Sequence, residues 1–242
     1  MSLALKDVSI SIGGRRLVKS VNLQLNPGEV VGLLGPNGAG KTTTFSLVIG
    51  LLRPDAGQIV MDGRDVADLP MPQRARLGLG YLPQEPSVFR QLSVRDNLDI
   101  ALDQTGLSRR DRVDRRDQLI EDFQLSAFVD RLGFQLSGGE RRRCEVARAL
   151  AVGTDGPSYL LLDEPFAGVD PIAVADLQAL IQKLRSRGMG ILITDHNVRE
   201  TLASTDRSYI LNDGSILASG QSDDVAHDPL VRRYYLGEDF QL

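Results

Sequence analysis

The chain has 242 residues, of which 42% are hydrophobic and 25% are charged, and its formal net charge at pH 7 is −4. This length and composition allow a sizeable buried core in one domain, and the slight acidity excludes the basic surface typical of DNA- or RNA-binding proteins. Because Cys144 is the only cysteine, a disulfide within the chain is excluded, which fits a reducing compartment.

The arginines of residues 109–116 and 141–143 lie among acidic residues or on predicted helices, which indicates solvated helix faces and no nucleic-acid partner. No apolar stretch reaches the roughly 18 to 20 residues that span a bilayer. The sequence shows no signal peptide, internal repeat or low-complexity tract. We therefore expect one domain that could act on a membrane only through partner proteins.

The first motif in chain order is GPNGAGKT, residues 35–42, which follows an apolar run at residues 30–34 that predicts a buried strand. It fits the phosphate-binding pattern G-x-x-x-x-G-K-[ST]. Gly35, Gly38 and Gly40 are expected to adopt positive φ angles, so that backbone amides can approach phosphate oxygens closely. A helix that starts near Gly40 would add the positive end of its dipole.

Two side chains of this loop have chemistry of their own. Lys41 supplies a positive charge to the β- and γ-phosphates, and Thr42 offers its hydroxyl to Mg²⁺, which prefers oxygen ligands. We assign triphosphate binding to the whole segment: Gly35, Pro36, Asn37, Gly38, Ala39, Gly40, Lys41, Thr42 and Thr43.

A second strand is predicted at residues 80–82, and Gln84 follows it in a loop. A glutamine in such a place is usually only a solvated polar residue. The pattern then becomes helical up to Leu136, with Ser93 and Ser108 as predicted N-caps.

The string LSGGE, residues 136–140, predicts a helix that begins after Ser137 with exposed amides and a hydroxyl. It is either an ordinary serine N-cap or a second phosphate site. One polypeptide cannot easily place two such sites on one γ-phosphate. A phosphate site here would therefore serve a second subunit.

The run LLLDEP predicts a buried strand at residues 159–162 that ends in Asp163 and Glu164. Strand alternation would point the two carboxylates to opposite sides and give them separate roles. Asp163 would hold the Mg²⁺ shell through water, and Glu164 would be the general base for an attacking water. The alternative is a pair that only caps the following helix.

Later elements complete an alternating pattern of helices and strands. Asp170 and Pro171 form an N-cap and first-turn pair for the next helix, and His196 follows a strand predicted at residues 190–194. An isolated histidine at a strand end is more often a capping or surface residue. Asp213-Gly214 predicts a hairpin, and a helical tail follows Asp223.

The order of GPNGAGKT, LSGGE and LLLDEP resembles the nucleotide-binding domains of ATP-binding-cassette (ABC) transporters over nearly the whole chain. The resemblance implies an α/β fold of the P-loop NTPase type, with an antiparallel β portion and a helical subdomain. The single domain would span residues 1–242, with a core at 1–83 and 137–242 and the helical subdomain at 84–136. ATP and Mg²⁺ are the implied cofactors.

The resemblance also implies a role for each matching residue. Gln84 would sense Mg²⁺ and water, His196 would contact the γ-phosphate, and Asp170 would lie near the ATP. Two copies would form a head-to-tail homodimer, in which one copy seals the ATP held by Lys41 of the other. The sealing residues would be Ser137, Gly138, Gly139 and Glu140. The implied catalytic residues are Glu164, His196 and Gln84, and the implied metal-binding residues are Thr42, Gln84 and Asp163.

One position departs from the family pattern. These ATPases usually carry an aromatic residue that stacks on adenine, and the matching stretch here offers Ile12. Apolar contact with the base is retained, but a stacking contribution of about 1 kcal/mol is lost.

The resemblance implies two transmembrane permease subunits as partners and a position on the cytoplasmic face of a bacterial inner membrane. The segment after Gln84 matches the stretch that receives such partners, and we expect Phe89 and Arg90 to be its anchors. The alternative is that Phe89 belongs to the core of the helical subdomain while Arg90 is solvated.

The strings LSGGERRR, DEPFAGVDPIAV, TDHNVRETL and YLGEDF resemble, as a set, the branch of the family that powers lipopolysaccharide export. The amino-acid importer branch is the nearest alternative, because its members have similar GPNGAGKTT and DEP segments. A soluble cassette protein that acts on DNA or ribosomes is less consistent with the sequence, which has no coiled-coil insertion and no second cassette.

Overall fold

The computed structural model describes residues 1–168, 171–237 and 240. Strands and helices alternate through most of the chain. The strands are β1 (Leu3–Ile12), β2 (Arg15–Leu25), β3 (Val30–Leu34), β4 (Ala56–Met61), β5 (Arg64–Asp65), β6 (Leu79–Leu82), β7 (Tyr159–Asp163), β8 (Gly190–Thr194), β9 (Arg207–Asn212) and β10 (Ser215–Gln221). The helices are α1 (Lys41–Ile49), α2 (Met71–Arg76), α3 (Val94–Leu102), α4 (Arg109–Asp122), α5 (Gly138–Ala149), α6 (Pro171–Ser186), α7 (Val198–Ser204), α8 (Ser222–His227) and α9 (Pro229–Val231), and a π-helical turn follows at Arg232–Leu236.

Within the described residues, the central sheet has six strands in the order β10-β9-β3-β8-β7-β6, and all except β10 are parallel. Strands β3, β7 and β8 are buried along their whole length, as expected for a parallel sheet covered on both faces. Their carboxyl ends lie at one edge of the sheet. The residues that follow them therefore meet there, which is where ligands bind in open α/β sheets.

A smaller antiparallel sheet, in the order β2-β1-β4-β5, packs beside the central one among the described residues. Leu3, Leu5 and Leu23 from this sheet share one hydrophobic cluster with Val31 and Leu33 of β3. Shared burial therefore joins the antiparallel portion to the strand that leads into the phosphate loop.

The segment at residues 84–136, all of which the structure describes, contains α3, α4 and two short 3-10 turns but no strand. Ser93 and Ser108 cap α3 and α4 as predicted, and each side chain accepts a hydrogen bond from an amide of the first turn. Leu98 and Leu119 share a cluster with Leu160 of the central sheet. The helical segment is thus continuous in packing with the α/β core, and its treatment as a separate subdomain stays a prediction.

The predicted hairpin is confirmed by the backbone. Asp213 and Gly214 both have positive φ, 44° and 79°, in the tight turn between β9 and β10.

The predicted packing role of Cys144 is confirmed by its burial. Cys144 on α5 is fully buried, and burial raises the pKa of its thiol to about 12. This cysteine is a packing residue and not a reactive thiol.

Candidate functional site

The phosphate loop, residues 35–42, connects β3 to α1 and has the backbone that its glycines were predicted to allow. Gly35, Gly38 and Gly40 have φ angles of 149°, 79° and 106°. A Cβ on Gly35 would lie 2.0 Å from the Leu211 carbonyl oxygen, and one on Gly40 would lie 2.7 Å from that of Leu17. Glycine is required at both positions because the backbone of neighbouring strands approaches the loop so closely.

Lys41 begins α1 and turns back onto its own loop. Its Nζ donates hydrogen bonds to the carbonyl oxygens of Gly35 at 2.7 Å and Pro36 at 3.1 Å. Burial lowers the pKa of Lys41, while the charges of Glu164 and Asp163 oppose that shift. The two acids at the end of β7 thus act on the lysine ammonium through their charge.

Asp163 is the last residue of β7 and is buried. The Tyr81 hydroxyl donates a hydrogen bond to its Oδ2 at 3.3 Å. Burial raises the pKa of Asp163, and the hydrogen bond from Tyr81 acts in the opposite direction. The carboxylate is thus held in place from β6, the neighbouring strand.

Glu164 does not continue the strand, so the alternation that was expected to separate it from Asp163 does not apply. Its φ is 46°, a left-handed conformation that is uncommon for residues other than glycine. Its amide donates to the Thr194 carbonyl at 2.7 Å, and its Oε2 accepts from Gln84 Nε2 at 2.7 Å. His196 Nδ1 lies 3.4 Å from the same oxygen. A backbone turn thus gives the two carboxylates different partners, and their separate roles stay a prediction.

His196 is largely exposed, with 63% of its side chain accessible, whereas its neighbour Asp195 is fully buried. The two Asp195 carboxylate oxygens accept hydrogen bonds from the amides of Phe166 and Asn197, each at 2.8 Å. His196 Nδ1 also lies 3.4 Å from Asp195 Oδ1. The acid therefore ties the backbone that follows the histidine to the segment after β7, while most of the imidazole stays exposed.

Residues 137–140 form an N-terminal capping box on α5. The Ser137 hydroxyl accepts from the Glu140 amide at 3.3 Å, and Glu140 Oε2 accepts from the Ser137 amide at 2.9 Å. This second bond lowers the pKa of Glu140. Gly138 and Gly139 line a small cavity of about 110 Å³ together with Gln84. These two hydrogen bonds are those of an ordinary serine N-cap. A contact of this segment with a second chain stays a prediction.

Other sequence-predicted residues lie elsewhere. Ile12 ends β1 with its side chain 45% exposed, next to the Gly13-Gly14 turn, and adenine contact stays a prediction. Asp170 lies outside the described residues. Phe89 is 47% exposed and Arg90 is exposed as well, which argues against a core position for the phenylalanine.

Three residues near the acids were not predicted: Tyr81, Asp195 and Arg142. Arg142 on α5 donates at 3.4 Å to the carbonyl oxygens of Pro83 and Glu164. Asp195 could have been recognised as a carboxylate directly after a buried strand. Arg142 carried no such signal, because it lies in a run of three arginines that looks like a solvated helix face.

The residues around the loop fit a triphosphate with a divalent cation. The three glycine φ angles orient the loop backbone as an anion cradle, and a Cβ at Gly38 would meet nothing within 4 Å, so space is open there. The side-chain oxygens of Thr42, Asp163 and Gln84 are the hard donors that Mg²⁺ prefers.

Solved structures share this architecture over almost the full chain. The structure matches the ADP conformation of MJ1267, an ATP-binding cassette of an ABC transporter, with a TM-score of 0.86 and 27% identity, covering 98% of this chain and 100% of that one. It also matches a dimeric post-hydrolysis state of the ATP-binding cassette MJ0796 bound to ADP and Pi, with a TM-score of 0.78 and 25% identity, covering 92% and 99% of the two chains.

Sequence relatives are more similar still. The chain is 56% identical over 228 residues to the lipopolysaccharide export system ATP-binding protein LptB of Acidithiobacillus ferridurans, covering 94% of this chain and 93% of that protein. It is 53% identical over 242 residues to the protein of that name from Escherichia coli K12, covering 100% and 99% of the two chains.

A family model described as ABC transporter matches residues 18–167, which include the phosphate loop, the capping box on α5 and the acids after β7. The match covers more than half of the chain, and the fold and the order of motifs agree with it. The chain therefore belongs to the ABC transporter family of ATP-binding proteins.

Proposed function

We propose that this chain is the ATP-hydrolysing subunit of a transporter that extracts lipopolysaccharide from the bacterial inner membrane for export to the outer membrane. The observation that carries the proposal is the 53% to 56% identity, over nearly the whole length, to ATP-binding proteins of lipopolysaccharide export systems. The chemistry that such a subunit needs is supplied near the phosphate loop by the side chains of Asp163, Glu164, Gln84 and His196.

In the proposed reaction, a water attacks the γ-phosphate in line with the bond that breaks. Glu164 orients and polarises this water, and its Oε2 is contacted by Gln84 Nε2 at 2.7 Å and by His196 Nδ1 at 3.4 Å. Lys41 leaves the Gly35 and Pro36 carbonyls to meet the charge that develops on the transferred phosphoryl group. Catalysis by these groups is mainly positioning and electrostatic stabilisation.

Mg²⁺ bound beside the loop would neutralise phosphate charge and fix the geometry of the β- and γ-phosphates. Thr42 and Asp163 would hold it, Asp163 through water, and Gln84 would contact its shell. The hydrogen bond from Tyr81 and the full burial of β7 keep the Asp163 carboxylate fixed for this task.

Two copies of the chain would complete the site head to tail. The capping box leaves the Gly138 and Gly139 amides at the start of a 12-residue helix, which favours an anion. Ser137 and these glycines of one copy would close over ATP held by Lys41 of the other, and Asp170 would lie at the same junction. This closure of the two copies on ATP would be the movement that drives transport.

We infer that this movement is passed to two permease subunits. None of the described helices is long and apolar enough to cross a membrane. We place the contact at a docking surface made of Phe89, Arg90 and Phe134. Phe134 is 51% exposed, and its amide donates to the Arg90 carbonyl at 3.1 Å. Two exposed rings beside an arginine suit a partner segment with apolar side chains and a carboxylate.

Backbone hydrogen bonds join the chain beside this docking surface to the segment that precedes the capping box. The Gly133 amide donates to the Leu92 carbonyl at 2.9 Å, and the Val94 amide donates to that of Arg131 at 3.1 Å. A Cβ on Gly133 would lie 2.9 Å from the Phe89 carbonyl oxygen, so the two segments are in close contact. Movement of the docking surface would therefore reach Ser137, four residues after Gly133.

The test begins with the tagged chain purified from detergent-solubilised inner membranes. We expect two permease subunits to co-purify, and we expect the reconstituted complex to release lipopolysaccharide from proteoliposomes only with Mg-ATP. A Lys41→Ala chain is the matched control, because it should assemble but not hydrolyse ATP. Co-purification with permeases of an amino-acid importer, or ATP-independent release, would contradict the proposal.

A further inference from the structure

One buried side-chain oxygen at the edge of the central sheet has no partner within the described fold. Thr194 is the last residue of β8 and is 1% exposed. Its Oγ1 makes no hydrogen bond with any of residues 1–168, 171–237 and 240. A buried hydroxyl in this state has lost its hydrogen bonds to water without replacement, which is costly. A water or an ion that binds there would supply the missing partner.

The register of the central sheet places Thr194 beside Asp163. Strands β7 and β8 are parallel, and these two residues, each the last of its strand, are paired with one another. Paired residues on neighbouring strands are about 4.8 Å apart and point to the same face of a sheet. The Thr194 hydroxyl and the Asp163 carboxylate therefore lie side by side on one face, at the carboxyl edge.

That face is the one against which α1 packs. Leu161 and Leu192 precede Asp163 and Thr194 by two residues, so their side chains point the same way. Both leucines belong to the hydrophobic cluster that contains Phe45 of α1. Because α1 begins directly after the phosphate loop, Thr194 lies on the side of the sheet where that loop leads into its helix.

Asp163 thus has a hydroxyl-bearing residue on each neighbouring strand. On β6, the Tyr81 hydroxyl donates to Asp163 Oδ2 at 3.3 Å. On β8, Thr194 is in register with Asp163, but its hydroxyl is not used by any described residue. One hydroxyl holds the carboxylate in place, and the other is available for a ligand that the carboxylate also contacts.

A water of the Mg²⁺ shell has the chemistry that this pair requires. Mg²⁺ prefers oxygen ligands and usually keeps several waters when it binds to a protein. A water on the ion has two protons to donate, and the adjacent carboxylate and hydroxyl offer two acceptors. Both side chains are buried, and hydrogen bonds are electrostatically stronger there than in bulk water.

We propose that Thr194 is a positioning residue for the Mg²⁺-nucleotide complex, and that its hydroxyl and the Asp163 carboxylate together hold one water of the Mg²⁺ shell. The inference rests on the ATP site proposed above, to which it adds a residue of β8. This strand lies between β3, which leads into the phosphate loop, and β7. The cation would therefore be held from both strands beside the loop strand's own helix.

The test uses Thr194→Val, which keeps the shape of the side chain but removes the hydroxyl, and Thr194→Ser, which keeps the hydroxyl. The control is Thr205→Val, because Thr205 Oγ1 donates within the fold to the Thr201 carbonyl at 3.0 Å. Affinity for ADP, which is not hydrolysed during the titration, is measured by calorimetry on the full chain with Mg²⁺ and with EDTA. Melting temperatures are measured without nucleotide.

We expect Thr194→Val to weaken ADP binding by about three- to tenfold with Mg²⁺ and to leave it unchanged with EDTA. Its melting temperature should not fall, because no hydrogen bond within the described fold is lost. Thr194→Ser should bind Mg-ADP almost as wild type does. Thr205→Val should show the opposite pattern, with a lower melting temperature and a wild-type affinity for Mg-ADP.

Wild-type affinity of Thr194→Val for Mg-ADP would overturn the inference. An equal loss with Mg²⁺ and with EDTA, a lower melting temperature, or an equal loss in Thr194→Ser would also overturn it, because the residue would then act on the fold and not on the Mg²⁺ shell. A wild-type chain that does not bind ADP, or that binds it equally with and without Mg²⁺, would instead contradict the proposed nucleotide and Mg²⁺ site.

Discussion

Glu164 combines a left-handed backbone with a carboxylate that lies between Gln84 and His196. A non-glycine residue in this conformation carries strain that the surrounding structure must support. The amide bond to the Thr194 carbonyl and the contact from Arg142 supply that support. The side chain is thus held in place by neighbouring groups, as its proposed contact with a water requires.

We expect Glu164→Gln to lower the rate of ATP hydrolysis by about 10² to 10⁴, because the amide keeps the shape but cannot act as a base. ATP binding should be retained, and gel filtration with Mg-ATP should show a persistent dimer. Glu121→Gln, at an exposed position on α4, is the control and should hydrolyse ATP normally. Turnover at the wild-type rate by Glu164→Gln would remove this residue from the role.

A second prediction at this scale concerns Ile12. If its side chain lies against adenine, Ile12→Tyr should tighten ATP binding by up to about tenfold through ring stacking, and GTP should gain similarly. Calorimetry with both nucleotides measures this effect. Ile100→Tyr, at another exposed isoleucine, is the control. Equal affinities in the Ile12→Tyr and control proteins would show that position 12 faces elsewhere.

Residues with a chemical signature were predictable, and residues that act through backbone contacts were not. Glycine patterns specified the φ angles of the phosphate loop, and strand-end acids identified Asp163 and Glu164. The left-handed turn at Glu164 has no local sequence signal, since glutamate rarely adopts it. Arg142 contacts the carbonyl oxygens of Pro83 and Glu164, and only folding brings these three residues together.

At the scale of elements, α4 is tied to α6 and the turn after it by Asp122. Its oxygens contact Lys183 Nζ at 3.0 Å and both terminal nitrogens of Arg187 at 3.1 Å. Arg187, followed by Lys183, lowers the pKa of Asp122 to about 2. The Asp122 side chain is only 19% exposed, so solvent screens this cluster less than a surface pair.

We expect Asp122→Asn to lower the free energy of unfolding by about 1 kcal/mol at neutral pH, because Lys183 and Arg187 are about half exposed and solvent screens their charges. Because the folded pKa is depressed, this contribution is complete above the unfolded pKa near 4 and disappears as the pH falls towards 2. Urea unfolding at several pH values measures it. Asp114→Asn, in an exposed pair with Arg110, should change stability by less than about 0.5 kcal/mol. An Asp122→Asn effect that does not depend on pH would contradict the ion-pair explanation.

Most elements followed from sequence periodicity. The strands at residues 30–34 and 190–194 have the predicted bounds, and the caps at Ser93 and Ser108 are confirmed. Pairing across distance could not be predicted in this way, because an order such as β3-β8-β7 depends on contacts between segments far apart in the chain. The contacts of Asp122 with Lys183 and Arg187 also join segments far apart in the chain, so sequence periodicity could not predict them.

At the scale of the whole molecule, the proposed docking surface for a membrane partner depends on how Phe89 is held. Phe89 is held by its backbone, with its amide bonded to Asn97 Oδ1 at 2.8 Å, while Arg148 lies over its ring at 5.0 Å. The ring itself remains about half exposed. The loop is therefore ordered, and the part of Phe89 that Arg148 does not cover is available.

We expect Phe89→Ala and Arg90→Ala to leave the isolated chain folded and able to bind ATP. Both variants should co-purify poorly with the permease subunits and should abolish transport. Co-purification and thermal melting are the measurements, and Val113→Ala, an exposed apolar position on α4, is the control. A Phe89→Ala chain that melts several degrees lower and loses ATP binding would identify the residue as core. Normal assembly of both variants would place the docking site elsewhere.

The burial of Cys144 has a practical consequence for measuring the proposed closure of two copies on ATP. It is the only cysteine in the chain, and its thiol, with a pKa of about 12, is almost entirely protonated at neutral pH and closed to solvent. A maleimide spin label or fluorophore would therefore react selectively with one cysteine introduced at an exposed position such as Val113. Distances between labels on two copies could then follow closure on ATP without any need to replace the native residue.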